Sequence, residues 1–133
     1  MKVTKEMFKN NATRISWHLL ASLAHSESSF NPKAKSNVGA MGLMQFMPDT
    51  WRQWTPEGSN PYEPELSIRA ADAYLGWLLD QTDNSTRSAL IAYMWGIGNM
   101  MHGGVNRAPE IVQKRAREIM FASEALKAWE TLE

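Results

Sequence analysis

An all-α fold is predicted for this chain, and three features of the sequence predict it. Apolar residues recur at spacings of three and four through several long segments, which is the period of one helix face. Runs that alternate apolar and polar residues, the mark of half-buried strands, are scarce. Pro48 and Pro109 stand where such segments begin, and the first turn is where proline costs a helix least. A length of 133 residues, 44% of them hydrophobic and 21% charged, fits one globular unit spanning residues 1–133. No internal repeat, low-complexity tract or linker divides it.

In chain order, helices are expected near residues 4–10 and 16–28, then at 48–54 behind Pro48. Two more are expected at about 65–81 and 86–97. In ELSIRAADAYLGWLLDQ, one face carries Leu66, Ala70, Ala73, Trp77 and Asp80, and an adjoining one Ile68, Ala71, Leu75, Leu78 and Leu79. Apolar coverage that wide predicts a central, mostly buried helix. From Pro109, the run through Ile111, Val112, Ala116, Ile119, Met120 and Leu126 predicts a long amphipathic helix with a break near Ser123. Of the six tryptophans, Trp17, Trp51, Trp54, Trp77, Trp95 and Trp129, most are expected in the core.

Composition narrows the function. Fourteen basic and fourteen acidic residues cancel, which offers no basis for nucleic-acid or membrane-surface binding. No segment has the length and hydropathy of a membrane span, and MKVTKEMFKNNATR lacks the apolar stretch of a signal peptide. Without cysteine there is no thiolate or disulfide chemistry. His18, His25 and His102 lack the spacing of metal ligands, so neither a metal nor a cofactor is expected.

The chemistry concentrates in Glu27–Thr50, ESSFNPKAKSNVGAMGLMQFMPDT. Leu20, Leu23, Ala24 and Glu27 share one helix face, so the carboxyl group points toward the apolar side. Phe30-Asn31-Pro32 is expected to end the helix, because proline pushes its predecessor out of the α region. The negative end of the helix dipole and an apolar wall would then raise the pKa of Glu27 and suit it to general acid catalysis. Gly39 and Gly42 permit a backbone that approaches another molecule closely. Asp49, Glu57, Glu63, Glu65 and Asp72 are expected as first-turn or surface charges.

These residues carry a family resemblance. Glu27-Ser28, Phe30, Pro32, Ala34, Ser36, Gly39-Ala40, Gly42-Leu43-Met44-Gln45, Met47-Pro48 and Thr50 follow one another in the order of the soluble lytic transglycosylase (SLT) domain, which is related to goose-type lysozyme. Asn60-Pro61 through Tyr74-Leu75-Gly76-Trp77-Leu78-Leu79 resembles a second family segment, expected to serve packing. Ala92-Tyr93-Met94-Trp95-Gly96-Ile97-Gly98 resembles the family's Ala-Tyr-Asn-x-Gly-x-Gly, with Met94 where asparagine is usual. Methionine cannot hydrogen-bond as an amide does.

The resemblance implies a lysozyme-like helical domain with a substrate cleft and Glu27 as its catalytic residue. It implies that Ser36 positions the glutamate and sugar, that Met44 and Gln45 line the cleft and contact substrate, and that Tyr93 approaches the acid. Met94 and Trp95 are candidate sugar contacts beside it. The implied partner is the glycan strand of peptidoglycan in the bacterial periplasm, met by a monomer. A phage device or a longer exported protein would bring it there, and the initiating Met and compact length favour the phage route. Ordinary glycosidases use two carboxylates, whereas one glutamate fits a reaction in which the muramic 6-hydroxyl is the nucleophile. Two other readings stay open: a water-using muramidase, and a non-catalytic wall-binding or virion module, to which Met94 points.

Overall fold

The computed structural model describes residues 2–132. In these residues the helices are α1 Lys5–Asn11, α2 Trp17–Ser28, α3 Pro48–Trp54, α4 Pro64–Gln81, α5 Thr86–Trp95, α6 Ile97–Gly103 and α7 Glu110–Glu130, with a 3-10 turn at Val105–Arg107. β pairing among the described residues is limited to two isolated antiparallel bridges, Lys35 with Met41 and Met41 with Phe46. The fold is all-α, as expected. Expected as one unit, the chain gathers into two compact units, Met1–Tyr74 and Leu75–Glu133.

In the first unit, short polar side chains start the helices. The Thr4 hydroxyl accepts from the Met7 N–H, and the Ser16 hydroxyl from the Leu19 N–H at 3.2 Å, each satisfying a donor the helix leaves open. Leu20, Leu23 and Ala24 of α2 are fully buried, as their shared face requires. At α4 the Glu63 carboxylate accepts from the backbone of Glu65 at 3.3 Å and Leu66 at 2.7 Å. It acts as a cap, in line with its expected first-turn place.

Asp72 departs from expectation. Its residue is 4% exposed, and its carboxylate accepts from the Thr13 N–H and hydroxyl, the Arg14 N–H and the Ile15 N–H, the last at 2.8 Å. It is therefore no surface charge. The link between α1 and α2 has backbone donors that no helix satisfies, and a buried anion satisfies three of them together.

In the second unit, Ser85 caps α5 by accepting from the Ser88 N–H at 3.1 Å, and Ala89, Leu90, Ile91 and Ala92 are all fully buried. Helices α5 and α7 pack together, α7 burying Ala116, Ile119 and Ser123. Arg87 donates to Gln113, whose amide donates on to the Ala108 carbonyl at 2.9 Å. The helix expected to reach residue 97 stops at Trp95, because Gly96 takes φ +105°, and α6, which was not expected, follows at once. Helix α7 runs through Ser123 unbroken, and the serine is buried within it.

One burial expectation holds and one is corrected. Helix α4 is mostly buried, and only Arg69, Ala73, Asp80 and Gln81 along it are exposed. Among the tryptophans only Trp51 is buried, its indole N–H donating to the Ser59 carbonyl at 3.0 Å, while Trp129 is 65% exposed. An indole is too large and too polar at one edge to be enclosed often in a chain of this size.

Asp72→Asn should cost about 2–4 kcal/mol, because an amide turns its NH2 toward backbone donors that the carboxylate accepted. The urea midpoint would fall with an unchanged slope. A shift equivalent to less than about 0.5 kcal/mol would show that the network carries little stability.

Candidate active site

Glu27 occupies the last turn of α2 and is half-buried. The helix does not run on to the proline. It ends at Ser28, with Ser29 at φ +52° donating its N–H to the His25 carbonyl at 2.9 Å, and Phe30 follows at φ +65°. Two consecutive non-glycine residues in the left-handed region cost roughly 1–2 kcal/mol each. Phe30 recovers contact there by setting its ring edge-on to Phe8 and against His25, with centroids 6.1 and 5.3 Å apart. The end of α2 thus comes from a left-handed cap, and Pro32 lies beyond it.

Ser28 joins this helix end to the glycine-rich loop. Its hydroxyl oxygen lies 2.7 Å from the Leu43 carbonyl oxygen and 3.1 Å from that of Ala24, and its single proton goes to the nearer acceptor. A residue next to the acid therefore holds the Gly42–Gln45 segment. Sequence reasoning counted Ser28 as part of the motif but gave it no role. The signal was a serine in the last helical turn, where a hydroxyl bonds a carbonyl readily.

The loop is tied mostly through its own main chain. Met41 and Phe46 exchange N–H···O bonds of 2.9 and 3.1 Å, the Gly42 N–H donates to the Ala34 carbonyl at 2.7 Å, and the Ser36 N–H to the Ala40 carbonyl at 2.9 Å. The Ser36 hydroxyl accepts from the Ala40 N–H at 2.9 Å, so it staples the turn that contains Gly39. Gln45, itself at φ +53°, donates its amide to the Gly42 carbonyl at 2.9 Å and the Ala34 carbonyl at 3.3 Å. Its donors serve the loop, and its side-chain oxygen is the atom left to accept from a ligand. Met44 has no exposed surface. The contact with sugar expected of it is not available to the side chain in this structure, where it is fully buried.

Gly42 is at φ +77°, and a Cβ there would collide with the backbone carbonyl oxygen of Pro61. The Asn60-Pro61 segment, expected only to pack, is itself a turn, with the Asn60 side chain accepting from the Tyr62 N–H at 2.9 Å. It brings a carbonyl against the loop that only glycine can meet. Phe46, at the loop's end, is centred 5.3 Å from Trp51 and 6.0 Å from Tyr74. Burial pushes the Tyr74 phenol above its usual 10.0.

Tyr93, Met94 and Trp95 are all half-buried and form the last turn of α5, in the second unit. The Asn99 side chain donates to the Trp95 carbonyl at 2.6 Å, closing the break at Gly96. Among the described residues, no three His, Asp or Glu side chains gather where they could hold a metal ion. Among the same described residues, no helix is long and apolar enough to cross a membrane.

A helical domain presenting one half-buried carboxyl group beside a main-chain-built loop defines the class. The chain belongs to the transglycosylase SLT domain family, whose model matches residues 6–114. Among its relatives is the membrane-bound lytic murein transglycosylase F of Haemophilus influenzae (strain PittGG), 34% identical over 101 residues covering 71% of this chain and 20% of the relative. The protein of that name from Aeromonas hydrophila is 31% identical over 103 residues, 73% of this chain and 20% of the relative. The chain thus spans about a fifth of the length of these relatives. Among solved structures, the 70 kDa soluble lytic transglycosylase in complex with bulgecin A superposes with a TM-score of 0.85 at 24% identity, over 96% of this chain and 24% of that one. The 70 kDa soluble lytic transglycosylase of Escherichia coli gives 0.68 at 26% identity, over 91% and 22%. The lysozyme-like fold expected from the motifs is the fold these comparisons find.

Two glycine substitutions separate close approach from backbone conformation. Gly42→Ala should cost more than about 3 kcal/mol, because backbone strain and a collision with a carbonyl combine. Gly39→Ala, at φ +97° with open space around it, should cost only about 1–2 kcal/mol. Equal losses in urea unfolding would show that the approach to Pro61 is not what selects glycine at position 42.

Proposed function

We propose that this chain cleaves the β-1,4 bond between N-acetylmuramic acid and N-acetylglucosamine in peptidoglycan by the lytic transglycosylase reaction, with Glu27 as its one catalytic acid and base. The observation that carries the proposal is the setting of Glu27: half-buried at a helix end, and followed by a serine bonded to the Leu43 carbonyl. Family membership supports it, and so do relatives named as murein transglycosylases.

The engagements of the other acids considered in the sequence favour a one-carboxylate scheme. Asp72 accepts from backbone N–H groups, Glu63 caps α4, Glu65 accepts from Asn11 at 3.2 Å, Asp49 pairs with Arg52, and Glu57 is exposed. None of the five is placed like Glu27 as a second catalytic carboxylate. In the first step the Glu27 carboxylic acid gives its proton to the glycosidic oxygen as the bond to the muramic anomeric carbon breaks. N-acetylglucosamine departs with a new 4-hydroxyl. The carboxylate then takes the proton of the muramic 6-hydroxyl as that oxygen attacks the anomeric carbon and closes a 1,6-anhydro ring. Glu27 ends protonated, and no water is consumed.

In this scheme the Gln45 oxygen accepts from a sugar hydroxyl, while Ser36 and the buried Met44 hold the loop that bears it. Tyr93, Met94 and Trp95 are proposed as further substrate contacts, with Met94 offering dispersion where an amide would hydrogen-bond. The acid and its loop belong to one chain, so the chemistry itself needs no second copy. The place of action is the periplasm, where the substrate lies.

Glu27→Gln keeps the shape and removes the proton cycle, worth a factor of roughly a hundred to ten thousand by itself. The variant should fail to clear permeabilised Gram-negative cells in a turbidity assay while unfolding at the wild-type urea concentration. Retention of more than about a tenth of wild-type activity would remove Glu27 from the role.

A further inference from the structure

The outer face of α7 is unlike the rest of the surface. Ile111, Lys114, Glu118, Phe121, Ala125, Ala128 and Leu132 succeed one another at alternating steps of three and four, opposite the side that buries Ala116, Ile119 and Ser123. From residue 121 onward this face is wholly apolar. Phe121 is 78% exposed, Trp129 65% and Leu132 77%, and Ala122, Ala125 and Ala128 lie open between them. The residues sit beyond the stretch matched by the family model. Phe121 and Trp129 alone present roughly 300 Å² of side chain, and with the alanines between them the patch reaches the size of the largest apolar patches on monomers, which are often functional.

We propose that two copies of this chain associate through this face, their α7 helices antiparallel and overlapping from Phe121 to Leu132. The pattern of residues selects both the partner and the direction. Parallel in-register pairing would set Lys114 against Lys114 and Glu118 against Glu118, which like-charge repulsion opposes. In the antiparallel arrangement Phe121 of one copy lies opposite Leu132 of the other, and Ala125 lies opposite Ala128. Bulky residues then close the two ends, small residues let the helix axes approach in the middle, and Trp129 covers Ala122 at the edge. Lys114 and Glu118 fall outside the overlap and stay in water. Each apolar side chain finds an apolar partner, as a two-fold symmetric contact requires. The buried surface, on the order of 800 Å² in all, places the dimer among weak, concentration-dependent ones. This replaces the monomer expected from the sequence and leaves the proposed chemistry within each chain.

Sedimentation of the whole chain from about 10 µM to about 1 mM tests the association. The average mass should rise from 15.1 kDa toward twice that value. Phe121→Glu, at a position too exposed to matter for folding, should remain at 15.1 kDa throughout with unchanged helix content. Because the chain has no cysteine, introduced thiols report the register directly. An equal mixture of Ala125→Cys and Ala128→Cys should form a disulfide-linked dimer in air, much faster than Lys114→Cys forms one with itself. A mass fixed at 15.1 kDa for the unaltered chain, or equal association of the Phe121→Glu variant, would overturn the pairing. Fast self-linkage of Lys114→Cys would overturn its direction. None of these outcomes depends on lysis, so the proposed reaction stands or falls separately.

Discussion

The hydrogen bond from the Ser28 hydroxyl to the Leu43 carbonyl is the contact on which the rest of the first unit's candidate site depends. It joins the end of the helix that carries Glu27 to a loop whose shape comes from main-chain bonds and two glycines. Without it the acid and the loop would be two separate surface features. The bond is possible only because α2 stops at Ser28, and α2 stops there because Ser29 and Phe30 accept left-handed conformations. That backbone is unfavourable alone and is held by the Phe30 ring against Phe8 and His25. Local strain is thus held in place by packing beside the proposed catalytic acid.

The loop follows the same logic from its other side. Gly42 is selected by the Pro61 carbonyl, Ser36 by the Ala40 N–H, and the Gln45 amide by the carbonyls of Ala34 and Gly42. Side chains expected to reach for a ligand instead first satisfy the backbone of an irregular segment, where unpaired buried groups would be costly. The same segment also turns Lys33, Lys35, Asn37, Val38 and Met47 outward, so the carboxyl group and the Gln45 amide oxygen stand among polar, charged and apolar side chains.

Much of this was legible in the sequence, and the parts that were not share a cause. The start of α3 could be read because the fixed φ and missing N–H of Pro48 suit a first helical turn. The burial of Leu20, Leu23 and Ala24 followed from their spacing. Family motifs gave the family and the lysozyme-like fold. Asp72 was misjudged because its partners, Thr13 to Ile15, lie nearly sixty residues away in the chain. The burial of Met44 was hidden for a similar reason, since a motif fixes the order of residues but not which of them face inward. Gly96 was visible as a glycine, but its φ of +105° and the helix that follows it depend on three-dimensional closure. The apolar residues of α7 were counted as one amphipathic face, although only the exposures of Phe121 and Trp129 separate a buried face from an open one.

In the proposed reaction one carboxyl group suffices because the substrate supplies its own nucleophile. Mass spectrometry of the muropeptides released from purified peptidoglycan tests this directly, since ring closure and hydrolysis differ by one water. The proposed reaction predicts products ending in 1,6-anhydro-N-acetylmuramic acid, with no reducing muramic ends formed beside them. Products heavier by one water would contradict it, and would mean that a water molecule reaches the anomeric carbon with Glu27 as its base.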